Sequence, residues 1–454
     1  MGVKEVFDYV ARVSHVLRQG VPKIDFVRYS KQSTTTIVAG IEPVDLIDGG
    51  WSYTYLSSDN LGLDEPKVKN ARLAPNGPEW QAMVVEQSEN LTLSAVASLK
   101  RYASKGFPII FSGGSPGFYP IGNDTEEDFQ HELRGLKRLR SVYQVASKKV
   151  AEKLTSIGLS PRVGAKTNGT WYTTWYDAGD VGYAVVFNDM VKASGQLIVN
   201  STQSPYFYDA WTGNRSPVLA YTQKGGKVII PLDLSGNQTV IVAFSDSLSK
   251  SVPTPRYVII SAPPNVIGTG VGTHLEAELH VAYARGAQTA RLDNDRTVGI
   301  QGEAVVPAFP LSNWTLVAEH WEAPEDLSDA SVIARKRNTT HALQELVSWD
   351  QLRHSQMYRA WATTALRRIT ETARVFVNGK HTPPLDLLKP EIDISRYLKV
   401  GNNEVQIVVP TVMWNYLRAS TETQDGGFYA VSPKFLSIIM GLCSGRNMNL
   451  IILR

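Results

Sequence analysis

Residues 109–118 read IIFSGGSPGF, an apolar run that passes abruptly into a glycine-rich loop. The apolar run begins at Phe107, and a short run of this kind bounded by turn residues is typical of a buried strand. Just upstream, the pattern predicts a strand over Glu79–Gln87 and a helix over Leu93–Lys105 that ends at Gly106. A strand, a helix and a second strand joined by short links form a βαβ unit, so we expect a parallel sheet here.

The same loop matches the G-x-S-x-G pattern that surrounds the nucleophile of many serine hydrolases, with Ser115 at its centre. A working nucleophile of this kind needs a helix after the serine and a backbone N–H on the next residue, which helps to hold the oxyanion. Residues 116–120 read PGFYP, a loop-forming sequence, and Pro116 has no N–H to donate. We therefore interpret Ser115 as part of a βα loop and not as a catalytic residue.

The chain around this unit divides by its hydrophobic pattern. Residues 1–20 place apolar side chains at helical spacing and predict one helix that ends before Pro22. Residues 23–29 (KIDFVRY) predict a buried strand. A long basic helix is predicted over residues 125–154, and its lysines and arginines are interpreted as a solvated face because no nucleic-acid-binding motif accompanies them.

After Pro161 the pattern becomes that of antiparallel β structure. Short alternating runs are separated by Gly, Asn, Asp and Pro turns, which predicts a small β-sandwich. The predicted strands lie at 170–176, 182–188, 196–199, 227–232 and 239–244, with further strands at 256–261, 274–283 and 297–305. A third unit over 310–433 has predicted strands at 358–366, 372–377 and 404–409 and is interpreted as a jelly roll.

The composition excludes several classes of function. The 454 residues carry a net charge of +3, which is too small to indicate nucleic acid or an acidic membrane surface as a partner. Cys443 is the single cysteine, so an internal disulfide and a CxxC site are excluded. The eight histidines show no metal-ligand spacing, and no apolar stretch reaches transmembrane length. We therefore expect no metal, no other cofactor and no membrane partner.

Glycosylation sequons of the form N-x-S/T are frequent in this chain. Eight of the twenty asparagines stand in a sequon, whereas chance gives about two or three. This excess indicates a secreted glycoprotein, with chance sequons in a Ser- and Thr-rich β protein as the alternative. The predicted sites are Asn90, Asn123, Asn168, Asn200, Asn237, Asn313 and Asn338, with Asn214 the weakest because Pro217 follows its serine. Residues 1–20 are interrupted by charges and are no signal peptide, so secretion is expected for a longer parent protein.

The third unit contains a recognisable run of motifs. Residues 373–380 read ARVFVNGK, residues 391–395 read EIDIS and residues 398–405 read LKVGNNEV. This order and spacing resembles the sugar-binding, galactose-binding-like jelly roll of glycoside hydrolase family 2 and its relatives. The matching motif residues are Asn378, Gly379, Lys380, Asp393, Gly401 and Asn402. Their chemistry is mainly structural, because Asn-Gly favours the positive φ of a tight hairpin turn.

The order of all the units resembles the C-terminal half of α-L-rhamnosidases of glycoside hydrolase family 106, especially secreted fungal relatives. In the small sandwich, Tyr208–Gly213 (YDAWTG) is similar to a family motif with its Asp and Trp in changed order. The α/β part is similar to the amidotransferase-like domain of β-galactosidase-type enzymes and is degenerate, because its loop has no cysteine. The resemblance implies a terminal barrel helix at 1–22, a degenerate amidotransferase-like α/β domain at 23–160, a β-sandwich at 161–250, a β linker region at 251–309, a jelly roll at 310–433 and an atypical tail at 434–454.

In that family, two carboxylates of an N-terminal (β/α)8 barrel perform the chemistry, one as general acid and one as base. A barrel takes about 250 residues, and only residues 1–22 stand where its last helix would be, so no catalytic residue is transferred to this chain. The resemblance implies an accessory, carbohydrate-binding or structural part of a secreted glycosidase, inactive alone. Its implied partners are the missing catalytic barrel and a rhamnose-containing glycan of plants or microbes. The candidate carbohydrate contacts are Trp171, Trp175, Trp414 and Asn415.

Two other functions remain open at this point. The second hypothesis is a stand-alone extracellular carbohydrate-binding or interaction protein, and the third is an enzyme with an unrecognised site, such as an esterase at Ser115. Residues 436–454 are apolar and unlike the end of a domain. Together with the isolated helix at 1–22, they lead us to expect a gene product that is truncated or mis-spliced at both ends.

Overall fold

The computed structural model describes residues 3–31, 44–63, 67–246, 258–263, 266–271, 277–281, 288–300, 311–322, 335–344, 373–386, 388, 392 and 394–408. These residues fall into two compact units, one within 3–300 and the other within 311–408. Among the described residues, no helix is both long and apolar enough to cross a bilayer.

The first unit begins with alternating helices and strands. In chain order they are α1 (Val3–Gln19), β1 (Val21–Lys23), β2 (Phe26–Tyr29), α2 (Val44–Asp48), β3 (Tyr53–Leu56), α3 (Ser58–Leu61), β4 (Val68–Lys69), β5 (Arg72–Leu73), β6 (Ala82–Glu86), β7 (Asn90–Leu91), α4 (Leu93–Ser104), β8 (Ile109–Ser112), β9 (Gly117–Phe118), α5 (Glu126–Lys137), β10 (Val142–Val145) and α6 (Val150–Ser156). Five of these strands form a parallel sheet in the order β10-β8-β6-β2-β3. The predicted parallel sheet is therefore confirmed, and its strand order is that of a doubly wound fold.

Helices cover both faces of this sheet because its strands are apolar on both sides. On one face, Val27 and Met83 pack with the buried side chains of α4 and α5. On the other face, Phe26 and Val84 pack with Leu46 of α2 and with the buried residues of α6. Parallel sheets are buried in this way because each crossover connection lays a helix on one face or the other.

The prediction of one helix over residues 125–154 is wrong. That segment forms α5, then β10, then α6. Helix α5 begins as expected at Thr125, whose hydroxyl accepts the N–H of Asp128 at 3.2 Å. The run Val142–Val145 then pairs with β8 and supplies the fifth strand of the sheet. Tertiary pairing with a buried neighbour therefore overrides the helical spacing of the flanking sequence.

The predicted β-sandwich follows the α/β part. Its strands are β11 (Val163–Thr167), β12 (Thr170–Asp177), β13 (Gly182–Asp189), β14 (Ala193–Val199), β15 (Pro205–Tyr208), β16 (Arg215–Pro217), β17 (Thr222–Lys224), β18 (Lys227–Leu234) and β19 (Thr239–Phe244). A six-stranded sheet, β1-β12-β13-β19-β15-β16, packs against a four-stranded sheet, β11-β14-β18-β17, and all pairings are antiparallel. Alternate side chains of both sheets, among them Val186, Leu197, Ile230 and Val242, fill the core between them.

The N-terminal helix packs on this sandwich. Tyr9 of α1 stacks on Trp211 with ring centroids 4.4 Å apart. Arg12 donates hydrogen bonds to the carbonyl oxygens of Ala210 and Trp211 at 2.9 and 2.7 Å. Strand β1 then joins the edge of the six-stranded sheet. The predicted helix at 1–20 is confirmed, while its assignment to a barrel stays a prediction.

Smaller sheets complete the two units. In the first unit, β20 (Ile259–Ser261), β23 (Gln288–Leu292) and β24 (Thr297–Ile300) form one sheet, and β21 (Val266–Val271) and β22 (Ala277–Val281) form a hairpin. The second unit has a hairpin of β25 (Trp314–Glu322) and β26 (Arg335–Leu343), a sheet of β27 (Arg374–Val377), β28 (Lys380–His381) and β29 (Val405–Val408), and a 3-10 turn at Ser395–Tyr397. The strands expected near 372–377 and 404–409 are confirmed, the strand expected at 358–366 lies outside the described residues, and the jelly roll stays a prediction.

A buried carboxylate ties the α/β part to the sandwich. Asp25 is 1% exposed and stands just before β2. Its Oδ2 accepts the backbone N–H and the hydroxyl of Ser52 at 3.0 and 2.8 Å. Its Oδ1 accepts from Nε2 of Gln81 at 2.9 Å, and from the backbone N–H and Nη1 of Arg162 at 3.0 and 3.3 Å. Burial raises the pKa of Asp25, and the hydrogen bonds from Ser52 and Arg162 oppose that rise.

We expect Asp25→Ala to lower the free energy of unfolding by about 3–5 kcal/mol, because it leaves the Arg162 guanidinium without its buried partner. Urea unfolding followed by tryptophan fluorescence measures the loss, with Asp48→Ala, an exposed carboxylate on α2, as control. Since the folded pKa of Asp25 lies above its unfolded value, the stability that its titration contributes is complete at low pH. That contribution declines as the pH rises through the folded pKa. An unfolding midpoint of Asp25→Ala equal to that of the wild type would contradict the stabilising role of Asp25.

A second contact between these parts requires a glycine. Gly50 has φ +74°, and a Cβ built there would lie 2.4 Å from the backbone nitrogen of Ala165 on β11. We expect Gly50→Ala to cost about 2–4 kcal/mol of unfolding free energy, since it adds a backbone clash to a strained φ. The matched control is Gly179→Ala, which has the same φ of +74° but open space around its Cβ. Equal losses in the two variants would show that the contact with β11 has no effect.

Candidate functional site

In doubly wound sheets, ligands bind beyond the carboxyl ends of the strands, where the strand order reverses. In this sheet the order reverses between β2 and β6. We call this end of the sheet the carboxyl edge. It includes the last residues of β2, β3 and β6 and the Ser115 loop that follows β8.

The Ser115 loop is not a nucleophile elbow. Its chain turns at Gly113, whose φ is +80° and whose N–H donates to the carbonyl of Val145 at 2.9 Å. The loop then enters β9, which pairs with β7, so a strand follows Ser115 where a hydrolase has a helix. The prediction that a helix is missing after Ser115 is confirmed.

Sequence reasoning missed the partner of this serine. The ammonium group of Lys137, at the end of α5, contacts the hydroxyl of Ser115. The same ammonium lies 5.7 Å from the ring centroid of Phe111, and burial lowers the pKa of Lys137. Serine–lysine pairs occur in some hydrolases. Here, however, Pro116 removes the N–H that would hold an oxyanion, so the pair serves to fix the loop to α5.

We expect Ser115 to be unreactive. An alkyl fluorophosphonate should leave no adduct on Ser115 in intact-mass and peptide-mass spectra, because no N–H on residue 116 stabilises the tetrahedral intermediate. The Ser115→Ala variant should hydrolyse p-nitrophenyl acetate at the wild-type rate. A covalent adduct at Ser115, or a rate lost only in Ser115→Ala, would restore the esterase interpretation.

A different group of side chains gathers at the reversal point, on the face covered by α2. We call Arg28, Tyr53, Tyr55 and Glu86 the switch-point cluster. The guanidinium carbon of Arg28 lies 5.8 Å from the ring centroid of Tyr53 and 5.6 Å from that of Tyr55. Its Nη1 is 3.4 Å from the hydroxyl of Tyr55, and its Nη2 is 3.7 Å from Oε1 of Glu86.

The three adjacent strands β3, β2 and β6 place these side chains in a row. Arg28 pairs in register with Tyr55, and Glu86 ends the neighbouring strand on the same face. Tyr55 is 46% exposed, whereas the side chain of Arg28 is 13% exposed. The row thus combines an accessible aromatic ring, a mostly buried cation and a carboxylate.

Elsewhere at the carboxyl edge, half-buried Lys31 and exposed Tyr119 form a second cation–aromatic pair. The ammonium of Lys31 lies 2.9 Å from the ring centroid of Tyr119, and the backbone N–H of Lys31 donates to Glu89 at 3.1 Å. Tyr119 is 41% exposed. The ammonium already occupies this ring face, which makes Tyr119 a useful reference for Tyr55.

The tryptophans predicted to contact carbohydrate lie elsewhere. Trp171 is 1% exposed in the core of the sandwich, so its ring has no free face for a sugar, and that interpretation is wrong for this residue. Trp175 is half-buried against Phe244, with ring centroids 5.6 Å apart, and covers Gly182. Trp414 and Asn415 lie outside the described residues.

The jelly-roll motif residues hold a turn together. Asn378 and Gly379 have φ of +52° and +76° in the turn between β27 and β28. Nδ2 of Asn378 donates to the carbonyl of Tyr397 at 2.9 Å and to Oδ1 of Asn403 at 2.8 Å, while its Oδ1 accepts the N–H of Glu404 at 3.0 Å. The motif residues Lys380, Gly401 and Asn402 are exposed, and Asp393 lies outside the described residues.

The predicted glycosylation sites are on the surface. Asn90, Asn123, Asn168, Asn200, Asn313 and Asn338 are exposed and Asn237 is half-buried. Some sequon residues also have structural contacts: Oδ1 of Asn168 accepts the N–H of Ser194 at 2.8 Å, and Thr92 and Thr125 cap α4 and α5. Their modification stays a prediction.

Within the described ranges, no group of three or more His, Cys, Asp or Glu side chains could hold a metal ion. Asp25 has a raised pKa, but its oxygens are buried and occupied by hydrogen bonds. The described side chains of the carboxyl edge present an exposed aromatic ring at Tyr55 and hydrogen-bonding groups at Arg28 and Glu86.

Comparison with known proteins gives similarity of structure only. No family model matches the chain, and no curated protein matches it in sequence. A rhamnosidase from Novosphingobium sp. PP1Y aligns over 93% of this chain and 38% of its own, with 18% identity and a TM-score of 0.59. The α-L-fucosidase isoenzyme 2 of Paenibacillus thiaminolyticus covers 52% of this chain and 44% of its own, with 9% identity and a TM-score of 0.32.

A β-galactosidase from Bacillus circulans sp. alkalophilus also covers 52% of this chain and 44% of its own, with 9% identity and a TM-score of 0.31. The chain spans 38% of the length of the rhamnosidase. The multidomain combination of an α/β part with β-sheet parts is thus confirmed, and this chain shares the fold of the matching part of that rhamnosidase.

Proposed function

We propose that this chain is an accessory, non-catalytic part of a secreted glycoside hydrolase of α-L-rhamnosidase type. The observation that supports the proposal is the extent of the structural match. Nearly the whole chain, 93%, aligns with a rhamnosidase, yet the aligned region is 38% of that protein. The motif run of residues 373–405 supports the finer assignment to the C-terminal half of a family 106 enzyme with a family 2-like jelly roll.

The described side chains are consistent with a non-catalytic role. Glycoside hydrolysis uses two carboxyl groups about 5–9.5 Å apart, one of them with a raised pKa and both open to substrate. Asp25 has a raised pKa but is 1% exposed and bonded to Arg162. Glu86, at the carboxyl edge, is paired with Arg28. Asp25 is thus a structural group, and the carboxylate of Glu86 is engaged by Arg28.

In this proposal the chain supports a catalytic domain and contributes carbohydrate contacts. The helix α1, fixed to the sandwich by Tyr9 and Arg12, leaves Phe7 and Val10 exposed for an adjoining domain. The exposed sequons would carry glycans on a secreted fungal protein. The substrate class is a rhamnose-containing glycan.

The test is to purify, from the source organism, the polypeptide recognised by antibodies raised against this chain, and to assay it with p-nitrophenyl α-L-rhamnopyranoside. We expect activity to copurify with a polypeptide longer than 454 residues. The isolated chain should have no activity, because the proposal places the two catalytic carboxylates in a barrel that the 454 residues do not include.

Two outcomes would contradict the proposal. Hydrolysis by the isolated chain would make it an enzyme in its own right. Immunoreactive material of this length without any glycosidase activity would favour the alternative, a stand-alone extracellular carbohydrate-binding or interaction protein.

A further inference from the structure

We propose that the switch-point cluster is a binding site for a neutral saccharide, with the ring of Tyr55 as stacking platform and Arg28 and Glu86 as the hydrogen-bonding pair. The site deepens the proposed function, on which it rests for the choice of carbohydrate as ligand class. Its location follows from the fold, since doubly wound sheets bind ligands where the strand order reverses.

The guanidinium of Arg28 has unused donor capacity. An arginine carries five N–H donors. Besides its cation–π contacts with Tyr53 and Tyr55, Arg28 makes one long hydrogen bond of 3.4 Å to Tyr55 and one ion pair of 3.7 Å to Glu86 within the described part of the chain. Both distances exceed those of strong charge-assisted hydrogen bonds, which are about 2.7–2.9 Å. A ligand hydroxyl that accepts from Arg28 and donates to Glu86 would therefore improve the polar contacts of both groups.

Tyr55 provides the apolar part of the site. Its ring is 46% exposed and is held edge-on to Tyr53, with centroids 5.8 Å apart, while Tyr53 stacks on buried Phe26. The aromatic support fixes the orientation of Tyr55 before a ligand arrives, which lowers the entropy lost on binding. Pyranose rings present an apolar C–H face that suits such a platform.

The charges of the site favour a neutral ligand. Arg28 and Glu86 balance each other, so an anionic sugar would gain from the guanidinium but lose to the carboxylate. Adjacent strands are about 4.8 Å apart, so the row from Tyr55 across Arg28 to Glu86 covers two strand spacings. Glu86 also lies two residues beyond Val84, the register partner of Arg28, so the backbone span is roughly 12 Å, about the length of two sugar units.

Saturation-transfer difference NMR on the full chain tests the site, with methyl α-L-rhamnopyranoside and methyl β-D-galactopyranoside as neutral probes and D-galacturonate as the anionic probe. We expect a neutral probe to bind and Tyr55→Ala to raise its Kd about tenfold, because the stacking surface is lost. Tyr55→Phe should retain most of the affinity, since it keeps the ring. Glu86→Gln should weaken binding without abolishing it.

Tyr119→Ala is the matched control, because Tyr119 is 41% exposed, close to the 46% of Tyr55, and also faces a cation, but follows β9 and lies outside the switch-point cluster. Circular dichroism of each variant confirms that the fold is retained. No transfer to either neutral probe, an unchanged Kd in Tyr55→Ala, or an equal loss in Tyr119→Ala would overturn the proposal. Preference for galacturonate would overturn it too and identify an anion site. Absent binding beside copurifying rhamnosidase activity would reject this site and leave the proposed function standing.

Discussion

The carboxylate of Asp25 is the interaction on which the first unit depends. It receives hydrogen bonds from Ser52, just before β3, from Gln81, just before β6, and from Arg162, just before β11. One side chain therefore fixes the starting points of three parallel strands and the first strand of the sandwich. Arg162 extends the network to the carbonyl of Glu79 at 2.7 Å. Because a buried charge is costly unless every partner is present, this network tolerates few alternative arrangements of the two parts.

The two ends of the parallel sheet carry different kinds of side chain, structural ones at the amino ends of the strands and accessible ones at the carboxyl ends. The buried network lies at the amino ends of the strands, where Asp25, Ser52 and Gln81 are all at most 9% exposed. The accessible polar and aromatic groups lie at the carboxyl ends, where Tyr55 and Tyr119 are both more than 40% exposed. In a parallel sheet all strands point the same way, so the two ends can differ in this manner without conflict. Rigidity at one end holds the strands that present the accessible groups at the other.

The sequence predicts what depends on local pattern and fails where distant residues meet. The alternation of β12 and β13 identifies the sandwich, and the same alternation places Trp171 inside it. The composition of the chain does not indicate which tryptophans are buried. The sequence pattern predicts a helix over residues 142–145, because their strand character comes from pairing with β8. The switch-point cluster joins Arg28 to residues 27 positions away, as in its contact with Tyr55, so no motif spacing reveals it. Only the strand order brings these residues together, and strand order is a property of the folded chain.

The Ser115 loop shows why a motif needs its physical context. Its glycines satisfy the hydrolase pattern, but packing explains them without catalysis. A Cβ on Gly114 would lie 2.7 Å from Cδ of Gln87, and a Cβ on Gly113 would lie 2.7 Å from the hydroxyl of Ser147. Gln87 and Ser147 could shift away, but φ is +80° at Gly113 and +152° at Gly114, values that L side chains rarely adopt, so the backbone favours glycine at both positions. Since close approach and positive φ select glycine as strongly as an active site does, a glycine-rich pattern indicates a tight turn first. It indicates catalysis only when the neighbouring N–H and helix are also present, and in this chain Pro116 and β9 replace them.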